Sequence, residues 1–244
     1  MRLLSSSDLI RTWETGLGQH HLERALTLLA VAEPEVSYKD LAALSIGKRD
    51  ARLLALREKL FGSSLNCLAE CPHCGEGAEF TLKVSDLLDV PIVNKDAEFF
   101  ELATNDLRIR FRPLNSEDLM AAANCMSLET ARRTLLEHCV LKASRHEMEL
   151  AVLDFPEEII AELTSRLAEC DSQADIALKL ECVACSRPWK LGFDIASYLW
   201  SEVNAMAKRL LREVHTLAWA YGWSEADILA MSDARRRLYL DMVG

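Results

Sequence analysis

The chain has 244 residues, 50% of them hydrophobic, and a formal net charge of −10 at pH 7. This length and composition allow a sizeable core, in one large domain or two small ones, and exclude a disordered tail. The acidic balance weighs against a nucleic-acid-binding surface, because neutralising phosphates needs a positive stripe. With only 9 Gly and 6 Pro, the composition indicates a mostly helical protein with short connections.

The first residues, MRLLSSSDLIRTWE, do not resemble a secretory signal peptide, because Ser, Asp and Arg interrupt the apolar run. No apolar stretch approaches the roughly 20 residues that span a bilayer. We therefore expect a cytoplasmic protein without a membrane segment. Its eight cysteines should then stay reduced, so closely spaced pairs are better interpreted as metal ligands than as disulfides.

Residues 1–62 are predicted to be an N-terminal helical segment. A Ser or Asp of SSSDLI caps the first helix, and a second helix ends before Pro34, because the residue preceding proline avoids the α region. A short helix from about Tyr38, a break at Ile46-Gly47 and a helix ending at Gly62 follow. The predicted buried positions of that last helix are Leu53, Leu54, Leu56 and Leu60.

Two hairpins of the same outline interrupt the helical pattern, and we predict that they are the halves of a zinc ribbon. In residues 63–92, the strands LNCLAEC and AEFTLKVSDL flank a C-x-x-C turn. In residues 176–195, a strand, a second C-x-x-C turn and an aromatic-led strand follow in the same order. Each hairpin therefore carries a cysteine pair at its turn.

We assign the two cysteine pairs, Cys71 with Cys74 and Cys182 with Cys185, to one Zn²⁺ site. Four thiolates surround a tetrahedral zinc ion at roughly 2.3 Å in a zinc ribbon. A tight turn aims both sulfurs inward and lets the following backbone N–H groups donate to them. Four protein ligands leave no position for water, so we expect a structural and not a catalytic ion.

Other interpretations of the cysteines are weaker. A single C-x-x-C is equally well a pair of buried or free cysteines, and a thioredoxin-like motif would open a helix, whereas both turns lie between strands. His73 and Cys67 are nearby candidate ligands, but the four-cysteine set is already complete. The remaining cysteines are interpreted as small buried apolar groups in helices: Cys125, Cys139 and Cys170.

Residues 93–175 separate the two ribbon halves and are predicted to be a strand followed by a helical insert. The sequence LRIRF alternates as a strand does, and a helix then begins at Asn115 or Ser116. Further helices are predicted over 128–143 and 156–172. A long insert between paired ligands is tolerated because the cost of loop closure grows only with the logarithm of length.

Residues 196–244 are predicted to be a C-terminal helical segment. A long amphipathic helix reaches about Tyr221 and stops at Gly222, and two further helices begin at Ser224 and Ser232. The cluster Arg235-Arg236-Arg237 is interpreted as a solvated face, with a contact for an acidic partner as the alternative. Candidate partner-binding aromatics, which are equally well core residues, are Trp219, Tyr221, Trp223 and Tyr239.

No Gly-rich phosphate loop, G-x-S-x-G motif or Cys-His pairing is present, which argues against an enzyme and a small-molecule substrate. The predicted fold class is α+β and mainly helical. It consists of a small zinc-ribbon-like hairpin pair, a helical insert, and helical N- and C-terminal segments.

Five stretches together resemble a family of small proteins encoded with contractile phage tails and phage-tail-like injection systems, related to the T4-type baseplate hub assembly chaperone. They are LSIGKRDARLLALREKLFGSSL, CPHCGEGAEFTL, LRIRFRPLNSEDLMAA, CVACSRPWKLGFDIASYLW and EVHTLAWAYGWSEADILAMSDARRRLYLDMV. The resemblance implies a non-enzymatic protein that binds a baseplate or hub component before or during its incorporation.

This resemblance leads to three hypotheses. The first is an assembly chaperone or accessory factor for the baseplate of a contractile injection system or phage tail. The second is a stoichiometric structural component of the baseplate. The third, a zinc-ribbon nucleic-acid-binding protein, is disfavoured by the acidic charge and the small size of the basic patches RIRFR and ARRRLY.

Overall fold

A computed structural model of the chain describes residues 1–88, 99–104, 106–146 and 148–243. The chain forms two compact units. The terminal unit consists of residues 1–37 and 195–244, and the central unit consists of residues 38–194. In the part of the chain described, no helix is both long and apolar enough to span a membrane.

The secondary structure is α+β and mainly helical, as the composition predicts. The helices are α1 (Ser6–Leu17), α2 (His21–Ala32), α3 (Tyr38–Ala43), α4 (Ile46–Phe61), α5 (Val84–Leu87), α6 (Ser116–Ala123), α7 (Leu128–Cys139), α8 (Glu157–Cys170), α9 (Ile195–Tyr221), α10 (Glu225–Ala230) and α11 (Asp233–Val243). The strands are β1 (Ser64–Glu70), β2 (Gly77–Lys83), β3 (Phe100–Ala103), β4 (Leu107–Phe111), β5 (Val140–Arg145), β6 (Met148–Glu149), β7 (Ile176–Glu181) and β8 (Pro188–Phe193).

The terminal unit is helical, and its helix ends follow the predicted signals. Ser5 caps α1 in a capping box with Asp8, and α2 ends before Pro34. Helix α9 ends where Gly222 adopts a φ of 67°, and Ser224 caps α10. Because α9 buries one apolar stripe along its 27 residues, it is the element against which α1, α2, α10 and α11 pack.

Arg236 corrects the prediction that the three consecutive arginines form a solvated face. Its side chain is buried, and its Nε donates to Oε2 of Glu213 at 2.9 Å. A second guanidinium nitrogen donates to the carbonyl oxygen of Met231 at 2.7 Å. Arg235 and Arg237 are exposed, as expected. The solvated-face prediction is wrong for Arg236 because α11 packs against α9 and turns this side chain toward Glu213.

In the central unit, β3, β4, β5 and β6 form a four-stranded antiparallel sheet in sequence order. The residues of β4 alternate between buried and exposed, as LRIRF predicts. Helices α7 and α8 contribute Leu136 and Leu163 to the core on this sheet, where they join Ile109 and Phe111. The segment between the hairpins therefore has a hydrophobic core of its own.

The predicted helix over 128–143 is wrong at its C-terminal end. Helix α7 ends at Cys139, and β5 follows directly and pairs with β4. The insert is thus not purely helical. Pairing with an existing strand decides the conformation of VLKASR, because strand propensity depends on context more than helix propensity does. The helix predicted over 156–172 is present as α8.

Three smaller predictions also differ from the structure. The break before α4 lies at Leu44–Ser45 and not at Ile46-Gly47, because Ser45 is the N-cap of that helix. Leu60 is only half-buried, whereas the other three predicted leucines of α4 are buried. Cys125 lies in the turn after α6 and is half-buried, so it is not a helical core residue.

Gly16 allows close packing within the terminal unit. A Cβ atom at this position would lie 2.2 Å from Cη2 of Trp200. The guanidinium of Arg24 lies 4.8 Å from the ring centroid of the same tryptophan, and its Nε donates to the carbonyl oxygen of Gly16 at 2.7 Å. The indole therefore packs against both Gly16 and Arg24.

We expect Gly16→Ala to lower the free energy of unfolding by about 1–3 kcal/mol, because the new methyl group displaces the indole ring of Trp200. Helical propensity alone would act in the opposite direction by about 1 kcal/mol. The matched control is Gly18→Ala, where nothing lies within 4 Å of the added Cβ and φ is −92°. Chemical denaturation measures the stability of both variants. A denaturation midpoint of Gly16→Ala equal to that of the wild type would contradict this packing.

Candidate metal centre

The two C-x-x-C turns have the same backbone hydrogen bonds. In the first turn, the N–H of Cys71 donates to the carbonyl oxygen of Glu76 and the N–H of Gly75 to that of Cys71, both at 2.9 Å. In the second turn, the N–H of Cys182 donates to the carbonyl oxygen of Arg187 at 3.1 Å. The two turns are thus the same local structure built from different sequences, CPHCGE and CVACSR.

The residue after the second cysteine is left-handed in both turns. Gly75 has a φ of 76°, and Ser186 has a φ of 54°. The N–H of Ser186 donates to the carbonyl oxygen of Cys182 at 2.9 Å, as that of Gly75 does to Cys71. Glycine adopts this conformation without the steric cost that a Cβ atom brings, so the second turn carries strain that the first does not.

The turns bring the four predicted cysteines together, with all Sγ atoms within 4.8 Å of one another. The Sγ atoms of Cys71 and Cys185 are 3.9 Å apart, and those of Cys74 and Cys182 are 3.5 Å apart. The first cysteine of each turn thus contacts the second cysteine of the other. Cys71 and Cys182 are buried, whereas Cys74 is exposed.

These separations fit a single four-coordinate ion. A tetrahedron of sulfurs at roughly 2.3 Å from a central ion has edges of about 3.8 Å. These four cysteines are the group that could hold one metal ion among the residues that the structure describes. His73 is exposed and is not part of it, and Cys67 lies on β1. The four cysteines could therefore hold a metal ion.

The thiols of the cluster affect one another's ionisation. The backbone N–H groups of Cys185 and Ala184 lower the pKa of the Cys182 thiol to about 7. The N–H of Glu76 acts in the same direction on Cys74, but hydrogen bonds with the neighbouring thiols and loss of solvation beside them outweigh it and raise the pKa of Cys74 to about 12. Four adjacent thiols resist ionising together unless a positive ion balances their charge.

Two polar contacts also hold the segment before β7, at the base of the second hairpin, against other parts of the central unit. Asp171, just before β7, accepts a hydrogen bond from the backbone N–H of Gly47 in the first turn of α4 at 2.9 Å. The side-chain amide of Gln173 donates to the carbonyl oxygen of Leu87, just after β2, at 2.8 Å. Gln173 thus connects the bases of the two hairpins, and Asp171 holds the same segment at the start of α4; together they form a basal connection.

Sequence reasoning missed the residues of this basal connection. A Cβ at Gly47 would lie 2.2 Å from Oδ1 of Asp171, so glycine lets the carboxylate approach the helix start. The Ser45 hydroxyl donates to the same oxygen at 3.2 Å. The signal available in the sequence was Gly47, two residues after the N-cap Ser45. Nothing in the sequence points to its partner, Asp171, in the segment before the second hairpin.

Comparison with known proteins identifies the class of protein to which this fold and cysteine cluster belong. The model of the family described as T4 bacteriophage base plate protein matches residues 26–197. The chain belongs to this family, and it is a phage base-plate-related protein. No curated protein matches the chain, and no solved structure matches it.

Opposite substitutions in the two turns should have opposite effects. We expect Gly75→Ala to lower the free energy of unfolding by about 1–2 kcal/mol, because a Cβ opposes the left-handed conformation. Ser186→Gly should raise the free energy of unfolding by up to about 1 kcal/mol, because glycine relieves this strain. The greater conformational freedom of glycine in the unfolded chain reduces that gain. Thermal unfolding of both variants measures these changes. If both substitutions changed the free energy of unfolding in the same direction, the two turns would not share their geometry.

Proposed function

We propose that the protein is a non-enzymatic assembly chaperone or accessory factor for the base plate or hub of a phage tail or contractile injection system. It acts in the cytoplasm, where it binds a base-plate component before or during incorporation. The observation that carries this proposal is family membership over residues 26–197, a span that contains both hairpins and the whole insert.

We further propose that Cys71, Cys74, Cys182 and Cys185 hold one structural Zn²⁺ in a zinc-ribbon-like arrangement. Soft thiolate ligands in a tetrahedral set select zinc or iron–sulfur chemistry over hard cations. The local packing of the second hairpin supports a structural role, because every residue of β7 and β8 is half-buried or exposed. A two-stranded hairpin of this kind is marginal in water and needs an additional cross-link.

A stoichiometric structural component of the base plate is the second candidate, because family membership supports it equally. The nucleic-acid alternative is weaker, since the net charge is −10 and Arg236 is engaged inside the terminal unit. Such a protein would bind DNA at low salt, with an affinity that falls steeply as salt rises. No binding at low salt would dismiss that alternative.

The predicted partner-binding aromatics differ in how free they are to contact another protein. The ring of Trp219 is 86% exposed. Tyr221, Trp223 and Tyr239 pack against each other, with ring centroids 4.4 to 5.6 Å apart. We propose Trp219 as the anchor that contacts a base-plate component, because large exposed aromatics dominate interface energetics.

The assembly proposal is tested by following the tagged protein during particle production. A chaperone co-purifies with base-plate components from lysates in which sheath assembly is blocked, and it is absent from purified mature particles. Trp219→Ala should reduce that co-purification, whereas Leu17→Ala, which removes another exposed apolar side chain, should not. Retention in mature particles at a fixed ratio to the base plate would instead establish a structural component.

We expect about one zinc per chain in the purified protein and well under one in the Cys182→Ser variant, measured by elemental mass spectrometry. An ion at about 100 times its dissociation constant stabilises the folded state by about 2.7 kcal/mol, and the variant loses that contribution. Cys67→Ser, on the same hairpin as Cys71, is the control and should keep the ion. If Cys182→Ser unfolded at the wild-type temperature, the two turns would not share a metal.

A further inference from the structure

All four Sγ atoms lie within 4.8 Å of one another, and two of the thiol contacts join one hairpin to the other. Cys74 and Cys182 have Sγ atoms 3.5 Å apart, and Cys71 and Cys185 have Sγ atoms 3.9 Å apart. A disulfide between either pair would connect residues on opposite sides of the insert. Disulfides within each turn would instead close two short loops and leave the hairpins unlinked.

The basal contacts hold the hairpins together without any metal. Asp171 accepts from the N–H of Gly47, and Gln173 donates to the carbonyl oxygen of Leu87. These hydrogen bonds involve neither the cysteines nor an ion. These contacts limit how far the two hairpins can separate when the metal leaves, which raises the effective concentration of each thiol at its partner.

We propose that the four-cysteine cluster is a redox-responsive clasp that closes the insert in two ways, with a metal ion when reduced and with the disulfides Cys71–Cys185 and Cys74–Cys182 when oxidised. The inference rests on the shared metal site of the proposed function. It adds that loss of the ion under oxidation does not open the connection between the hairpins.

The oxidant is a peroxide, and the reaction begins in the metal-bound cluster, where the sulfurs are thiolates, at Cys74 because it is the exposed member. Its sulfur attacks the peroxide O–O bond to form a sulfenic acid, and one water leaves. The sulfur of Cys182 then attacks that sulfenic sulfur, forming the S–S bond and releasing a second water. Each disulfide thus consumes one peroxide, two thiolates and two protons.

The second pair reacts in the same way. For the metal-bound cluster, two peroxides and four protons convert four thiolates into two disulfides and four waters, and the divalent ion is released. The four sulfurs lose the charge that held the ion, so release is complete once both disulfides have formed.

The test uses the full-length protein, both as purified and after chelator treatment, exposed to hydrogen peroxide and then alkylated with iodoacetamide. Four of the eight cysteines should become unreactive, and peptide mapping should find Cys71 linked to Cys185 and Cys74 linked to Cys182. Non-reducing electrophoresis should show a faster band, and fragments produced by cutting the insert should remain joined until a reductant is added. Metal-loaded protein should release its ion in step with the disulfides.

Disulfides within the turns, Cys71–Cys74 and Cys182–Cys185, would overturn the proposal, as would separation of the fragments without reductant. Cys74→Ser should leave only the Cys71–Cys185 link, and Cys67→Ser should leave both. A protein that binds no metal but forms the cross-hairpin links would refute the zinc site alone. A protein that binds zinc but forms no such links would refute the clasp alone.

Discussion

The contact between two cysteine turns that lie far apart in the sequence is the constraint on which the central unit depends. The side chains of the second hairpin's strands are at most half-buried, so packing of its strands contributes little to its stability. The buried residue of that hairpin's turn is Cys182, at the cluster. Joining the thiols at the tips, with the contact between Gln173 and Leu87 at the bases, gives the hairpins two points of attachment. Either attachment alone would leave the hairpins free to move about it, and the two together fix how the hairpins lie side by side.

Much of the local structure, and the members of the cluster, could be predicted because their signals are local. Ser5, Gly62 and Gly222 mark helix ends by capping chemistry or backbone conformation, and both hairpins follow from alternation around a C-x-x-C turn. What could not be predicted depends on tertiary partners. Strand β5 forms because β4 is beside it, and Arg236 is buried because Glu213 faces it. The matching family supports a base-plate-related role, which the resemblance implied.

The packing of the insert explains how a small cysteine cluster can close such a long segment. Phe111, Ile109 and Leu163 are fully buried in a core that belongs to the insert itself. Because that core forms from contacts within the insert, the clasp need only fix the two ends of a segment that is already folded. The entropic cost of closing such a segment is smaller than that of closing a flexible loop of the same length.

The distribution of exposed apolar side chains bears on the choice between chaperone and permanent component. Met126, between α6 and α7, and Leu128, the first residue of α7, are at least 91% exposed, and Trp219 and Met242 are exposed in the terminal unit. Permanent interfaces bury large, continuous apolar surfaces, whereas transient ones are smaller and more polar. For the proposed assembly factor, the exposed apolar side chains of each unit are the expected points of small, reversible contact with a base-plate component.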